Sequence, residues 1–129
     1  MGRMVRVVVA VAMMVALSTG AAFAATLGGT AAGDALRGTN GADTIRGGGG
    51  VDSLRGLDGD DRLYGEGGSD GLYGGSGSDN LYSGPGNDFI SSAGDGAGDF
   101  VDCGDGYDTG QKGSDGNLDR FVGCEKFVG

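Results

Sequence analysis

Residues 29–91 read GTAAGDALR-GTNGADTIR-GGGGVDSLR-GLDGDDRLY-GEGGSDGLY-GGSGSDNLY-SGPGNDFIS when they are divided into blocks of nine. Glycine occupies the first position in six of the seven blocks, and also the fourth position in six. The sixth position is always aspartate: Asp34, Asp43, Asp52, Asp61, Asp70, Asp79 and Asp88. The eighth is always Leu or Ile: Leu36, Ile45, Leu54, Leu63, Leu72, Leu81 and Ile90. A disordered tract rich in glycine does not hold such a register, so the period indicates a repeat structure.

Each position of the block has a physical role. Glycine at the first and fourth positions lets the backbone reach positive φ, which predicts a tight turn with carbonyl oxygens aimed inward. The aspartate that ends the turn adds a carboxylate to those carbonyls. In the last three residues only the middle, apolar side chain points inside, so they predict a very short strand. Two blocks make one coil, and residues two blocks apart are predicted to stack on the same side.

These blocks resemble the RTX (hemolysin-type) calcium-binding repeat, GGxGxDxUx, in which U is a large apolar residue. The resemblance implies an all-β fold, a parallel β-roll that is a right-handed β-solenoid. It also implies calcium ions between successive turns, held by Asp carboxylates and backbone carbonyls. One edge would stack Asp34, Asp52, Asp70 and Asp88, and the other Asp43, Asp61 and Asp79. With the two later aspartates described below, about five to seven Ca²⁺ ions are implied.

The ligand types favour calcium over other cations. Carboxylate and carbonyl oxygens suit a hard cation, and a flexible cage favours Ca²⁺ because Mg²⁺ prefers strict octahedral geometry. An EF-hand is excluded, since the stretch from Asp58 lacks the DxDxDG order and has Ser69 where a bidentate Glu is needed. The alternative is that the aspartates are solvated turn residues without a metal. Carboxylates stacked at every turn would then repel one another, which favours the metal.

The composition excludes several classes of function. The chain of 129 residues has 32 glycines, no histidine and a formal charge of −9. A chain this acidic is not expected to bind nucleic acid through the phosphates, and it is suited to cations. No GxSxG, P-loop or HExxH motif occurs, and nearly all carboxylates lie in the repeat register. We therefore predict that the protein is not an enzyme.

Residues 1–24 have the pattern of a cleaved secretory signal peptide. Arg3 and Arg6 give a positive start, residues 7–17 are apolar, and residues 22–24, Ala-Phe-Ala, supply the small residues that signal peptidase needs. The apolar run is too short to span a bilayer, and no second one follows. We expect cleavage after Ala24, secretion to the extracellular space, and no membrane association of the mature chain.

After Ser91 the period loosens. A repeat with two inserted residues places Asp99 before a short strand at residues 100–102, and CGDGYDT restores a turn that ends at Asp108. We expect Asp99 to stack on Asp79, and Asp108 on Asp88, as further calcium ligands. The calcium-binding repeats are thus predicted to span residues 25–109.

Residues 110–129 are predicted to form an irregular C-terminal cap. This end resembles the C-terminal segment of small exported actinobacterial-type repeat proteins, in the VDCG turn at 101–104 and the Cys-Glu pair at 124–125. In an exported chain Cys103 and Cys124 predict a disulfide, because one Cys pair without His has too few ligands for zinc. Four apolar residues are expected to cover the end of the last coil and its open strand edges: Phe121, Val122, Phe127 and Val128.

The ninth position of the blocks carries outward-facing side chains: Arg37, Arg46, Arg55, Tyr64, Tyr73 and Tyr82. They are expected to stack and support neighbouring strands, and the alternative is a platform for a cell-surface polysaccharide. Three functions remain open. The first is a non-enzymatic calcium-binding module that folds on binding extracellular Ca²⁺. The second is an adhesion or glycan-binding protein in which calcium is only structural, and the third is a carrier for another exported protein.

Overall fold

The computed structural model describes residues 24–92, 97–113 and 118–128, and within these ranges every regular element is a β-strand. The predicted signal peptide lies outside the described residues except for Ala24, so its cleavage stays a prediction. None of the described residues forms a helix that could cross a membrane.

Short strands follow one another at nearly regular intervals. Their bounds are β1 Thr26–Gly28, β2 Ala35–Arg37, β3 Thr44–Arg46, β4 Ser53–Arg55, β5 Arg62–Tyr64, β6 Gly71–Tyr73, β7 Asn80–Tyr82, β8 Phe89–Ser92, β9 Phe100–Asp102, β10 Thr109–Lys112, β11 Arg120–Val122 and β12 Lys126–Val128. The odd-numbered strands form one parallel sheet and the even-numbered strands the other, each in chain order. Consecutive strands therefore alternate between the sheets, which confirms the predicted β-solenoid and is consistent with a β-roll.

The core is a double row of aliphatic side chains. Because successive side chains alternate across a strand, only the middle residue of each x-Leu-x strand points into the coil. One row aligns Leu27, Ile45, Leu63, Leu81 and Val101, and the other aligns Leu36, Leu54, Leu72 and Ile90. All nine are buried. The interior therefore holds about one apolar side chain per repeat, as predicted, and the coils must pack closely.

The glycines differ from the expectation in one respect. Positive φ occurs at the second and fourth positions of the turns, as at Gly75 (88°) and Gly77 (102°), and not at the first position. First-position glycines are needed for close approach instead. A Cβ atom on Gly56 would lie less than 3.0 Å from both Asp61 Oδ2 and the carbonyl oxygen of Gly74. The first glycine is thus required by the contact between coils, and not by its own backbone angle.

Strands β11 and β12 are the last members of the two sheets. Cys103, in the turn after β9, is bonded to Cys124 with their Cα atoms 5.1 Å apart, which confirms the predicted disulfide. The rings of Phe121 and Phe127 meet edge to face with their centroids 5.1 Å apart, and Phe121 packs against the core. The valine after each phenylalanine is exposed. Phe127 is exposed as well, at 43%, so of the four residues expected to cover the last coil only Phe121 packs against the core.

The buried row of aliphatic side chains predicts that two substitutions will differ clearly in their effect on the free energy of unfolding. Leu63 is fully buried in β5, so Leu63→Ala should lower the free energy of unfolding by about 2–5 kcal/mol. Val51 lies in a turn with 68% of its surface exposed, so Val51→Ala should change it by less than about 0.5 kcal/mol. Urea unfolding in calcium-containing buffer, followed by circular dichroism, measures both. Equal effects would mean that the aligned row is not the core.

Candidate metal centre

Nine aspartates end the turns, and all nine are buried despite their charge. They are Asp34, Asp43, Asp52, Asp61, Asp70, Asp79, Asp88, Asp99 and Asp108, with relative exposures of 6% or less. Each lies one residue before a strand, and all but Asp108, which has Gly110 at that place, lie two residues before a core residue. Because side chains two apart in an extended segment share a face, the aspartate points inward with the leucine that follows it. The repeat therefore places one carboxylate at the edge of the core in every turn.

Hydrogen bonds connect these carboxylates into two ladders. From Asp52 onward, the Oδ1 atom of each of the seven aspartates accepts the backbone N–H of the aspartate one coil before it, at 2.7–2.9 Å. One ladder runs Asp34, Asp52, Asp70, Asp88, Asp108, and the other runs Asp43, Asp61, Asp79, Asp99. The last step in each spans 20 residues where the earlier ones span 18. The structure thus brings together all nine predicted residues, along two edges of the roll.

The second carboxylate oxygen, Oδ2, has a different environment. In five aspartates this atom is buried and accepts no hydrogen bond: Asp52, Asp61, Asp70, Asp88 and Asp108. Buried polar atoms in proteins almost always have a partner, and an ionised oxygen without one is costly. Five such atoms in regular positions indicate that the ladders need a positively charged partner.

Backbone carbonyl oxygens lie beside the Oδ2 atoms of Asp52, Asp61 and Asp70. A Cβ atom on Gly65 would be 2.7 Å from Asp70 Oδ2 and 2.8 Å from the carbonyl oxygen of Ser83, so both oxygens border one small space. Nowhere in the described residues do three or more Asp, Glu, His or Cys side chains gather as a metal cluster. A cation here would therefore take carboxylate and carbonyl oxygens together. A mixed oxygen set of this kind fits Ca²⁺.

The metal-free ladders are also electrostatically unfavourable. Burial, which is the largest cause, and the carboxylates of adjacent coils together raise the pKa of Asp61, Asp70 and Asp88 from 3.8 to about 7. Burial likewise raises the pKa of Asp52 and Asp108. The hydrogen bonds from the backbone act in the opposite direction but do not cancel these effects. Around neutral pH, protons and cations therefore compete for the same oxygens.

The first coil is an exception to this pattern. The Oδ2 atom of Asp34 accepts the backbone N–H of Thr30 at 2.5 Å, and that of Asp43 accepts the N–H of Thr39 at 2.6 Å. These two carboxylates are satisfied within their own turns.

Two acidic residues outside the repeats continue the ladders, and the nine-residue period does not predict them. Asp119 Oδ1 accepts the N–H of Asp99 at 3.0 Å, and Glu125 Oε1 accepts the N–H of Asp108 at 2.8 Å. Both begin an acid-base-Phe-Val tetrapeptide, DRFV at 119–122 and EKFV at 125–128, which matches the acid-x-apolar-x end of a repeat. This similarity is the signal that could have identified them.

Outward-facing rings and cations form rows on the two sheets. On the first, the Arg46 guanidinium lies 4.2 Å from the centroid of the Tyr64 ring, and Tyr64 stacks on Tyr82 at 5.1 Å with the ring planes 8° apart. Phe100 follows Tyr82 at 5.8 Å. The second sheet has the shorter row Arg55, Tyr73 and Phe89. Neighbouring strands are thus joined on their outer faces by ring and cation–π contacts.

A family model of the RTX calcium-binding nonapeptide repeat matches the chain in four copies, at residues 28–63, 37–72, 55–90 and 73–109. Together the copies cover well over half of the chain. No curated protein and no solved structure matches it significantly.

The close contacts of first-position glycines predict that a substitution there will reduce calcium binding, whereas a substitution at another glycine of the turn will not. A methyl group in Gly56→Ala would occupy the space beside Asp61 Oδ2, so this variant should bind fewer calcium ions than the native chain. Gly67→Ala is the matched control, because a Cβ there has nothing within 4 Å. Isothermal titration calorimetry counts the ions in each. An unchanged count in Gly56→Ala would remove that space from the candidate site.

Proposed function

Because the chain belongs to the RTX calcium-binding nonapeptide repeat family, we propose that it is a secreted, non-enzymatic module that folds on binding extracellular Ca²⁺. The repeats assign calcium binding to the chain. The buried Oδ2 atoms support the further step, from binding calcium to folding on it. Secretion is supported by the pattern of residues 1–24.

The unpartnered carboxylate oxygens are the single observation that carries this proposal. When bound, Ca²⁺ would supply the positive charge that these oxygens lack. The residues that would hold it are the sixth-position aspartates, through Oδ2, together with carbonyl oxygens of first-position residues such as Gly74 and Ser83. Each Oδ1 atom keeps its hydrogen bond to the preceding coil. The aspartate thus links two coils through one oxygen and leaves the other for the metal.

The core is too thin to stabilise the roll without this contribution. Only about one aliphatic side chain per nine residues is buried, while glycine, the residue that loses most backbone freedom on folding, makes up a quarter of the chain. Metal-free ladders add repulsion between stacked carboxylates. Calcium that binds only the folded state adds stability, which grows with the logarithm of the calcium concentration above the dissociation constant. The folded state is therefore expected at extracellular calcium levels and not at cytosolic ones.

The outward rows favour a supporting role over glycan binding. A sugar stacks on an open ring face, whereas one face of Tyr64 is covered by Arg46 and the other by Tyr82. Tyr82 in turn has Phe100 against its second side. We therefore place the rows among the contacts that hold neighbouring strands together.

The proposal predicts a calcium-dependent folding transition. In chelator the far-UV circular dichroism spectrum should be that of an unfolded chain, and in about 10 mM Ca²⁺ it should become β-rich. The same concentration of Mg²⁺ is the control and should leave most of the chain unfolded, because Mg²⁺ gives up its water ligands reluctantly. A β-rich spectrum in chelator that calcium does not change would contradict folding on binding.

The raised pKa values of Asp61, Asp70 and Asp88 predict that the stability of the fold depends on pH in opposite directions with and without calcium. Since their folded pKa lies above 3.8, the metal-free fold binds more protons than the unfolded chain between about pH 4 and 7, so its stability falls as pH rises through that range. Calcium needs ionised carboxylates, so the calcium-bound fold should instead weaken as pH falls below about 7.

Calcium titrations at pH 5 and pH 8, followed by circular dichroism, measure this dependence. The calcium concentration at half-folding should be higher at pH 5, while in chelator any residual β signal should be stronger at pH 5. Asp61→Asn, which cannot titrate, should reduce both differences. The same direction of pH dependence in chelator and in calcium would show that proton and metal do not compete at these oxygens.

A further inference from the structure

Thr30 and Thr39 occupy the second position of the first two repeats, and each closes a hydrogen-bonded network around its own aspartate. The Thr30 N–H donates to Asp34 Oδ2 at 2.5 Å, and the hydroxyl lies 3.1 Å and 3.2 Å from the two carboxylate oxygens. The same hydroxyl accepts the N–H of Ala32 at 3.1 Å. A threonine that accepts the N–H two residues ahead forms a compact turn held by its own side chain.

The second repeat repeats this arrangement on the opposite edge of the roll. The Thr39 N–H donates to Asp43 Oδ2 at 2.6 Å, and its hydroxyl donates to Asp43 Oδ1 at 2.8 Å while accepting the N–H of Gly41 at 3.1 Å. Asp43 Oδ1 also accepts the N–H of Ala25 at 2.8 Å. Both oxygens of this carboxylate are therefore occupied by protein donors.

The backbone of these two turns differs from that of the later ones. From the third repeat to the seventh, the second position has positive φ, at Gly48, Leu57, Glu66, Gly75 and Gly84. Neither Thr30 nor Thr39 does. Threonine is β-branched, and positive φ is strongly disfavoured for such residues. The second residue therefore selects a turn that satisfies the carboxylate internally, instead of one that leaves Oδ2 open.

The position of Oδ2 between two coils shows which calcium positions the threonine hydrogen bonds would block. In the first five repeats, the Oδ2 atom of the aspartate lies next to the carbonyl oxygen of a first-position residue one coil further on, as with Asp52 and the Gly65 carbonyl. The space beside Asp34 Oδ2 therefore lies between the coils of Asp34 and Asp52, and the space beside Asp43 Oδ2 lies between those of Asp43 and Asp61. In both, the threonine N–H takes the oxygen that a cation would need.

We propose that the first coil is closed by Thr30 and Thr39 in place of calcium, and that ion binding begins at Asp52 and Asp61. This inference rests on the proposed calcium function and revises its first two positions. The expected ions between Asp34 and Asp52 and between Asp43 and Asp61 are replaced by hydrogen bonds. The first coil becomes an N-terminal end whose turns do not depend on the metal.

Two pairs of isosteric substitutions in the full chain test the proposal, with calcium ions counted by isothermal titration calorimetry. Asp34→Asn with Asp43→Asn should leave the number of ions per chain unchanged. Asp52→Asn with Asp61→Asn, the same change one coil later, should lose the ions held at those positions. An equal loss in both pairs would overturn the proposal while leaving calcium binding intact. A native chain that binds no calcium would instead overturn the proposed function.

A gain-of-binding variant keeps the test independent of any folding defect. Thr30→Gly with Thr39→Gly removes the hydroxyl and permits positive φ at both second positions. This variant should bind more calcium than the native chain. No gain would show that the threonines are not what excludes the ion, and would overturn the proposal.

Discussion

The roll depends on buried carboxylates, and in five of them, Asp52, Asp61, Asp70, Asp88 and Asp108, only one of the two oxygens is bonded to protein. Oδ1 connects each coil to the one before it, so the aspartate cannot leave the interior without breaking a contact between coils. In these five aspartates Oδ2 is held in the same buried place with no donor. Closely spaced like charges in a poorly hydrated environment are repulsive, and burial has already raised the pKa of Asp61 and Asp70 to about 7. The need to bond and neutralise these buried carboxylates sets the spacing of the coils. The narrow core and the outer rows of rings add contacts between coils that are already at that spacing.

Much of this arrangement could be predicted from the nine-residue period. The period places Leu63 in the core and Asp61 at its edge because residues two apart in a strand share a face, and it assigns alternate repeats to opposite sheets. The position of Asp99 could also be predicted, because the two residues inserted before it lengthen the connection between strands and leave the register of β7 and β9 unchanged. The disulfide between Cys103 and Cys124 followed from the export signal and the absence of other thiols.

What the sequence could not reveal depends on features that the period does not encode. The second position of the block varies among Thr, Gly, Leu and Glu, so its demand for positive φ, and the different turn formed by threonine, became visible only in the backbone angles and hydrogen bonds. Asp119 and Glu125 were missed because they lie six residues apart in a segment without the nine-residue spacing. Their place at the ends of the ladders follows from the sheets, which bring β11 and β12 into the two rows.

The alternation of strands between two sheets also constrains how such a chain can change length during evolution. Deleting a single nonapeptide would transfer every later strand to the opposite sheet. The outer row that now joins Arg46, Tyr64 and Tyr82 would then be divided between two faces. Deleting or duplicating two successive repeats leaves each strand in its sheet and each ladder continuous. The segment that can be duplicated or deleted without changing the sheets is therefore the complete coil of two repeats, although the repeat visible in the sequence is half a coil.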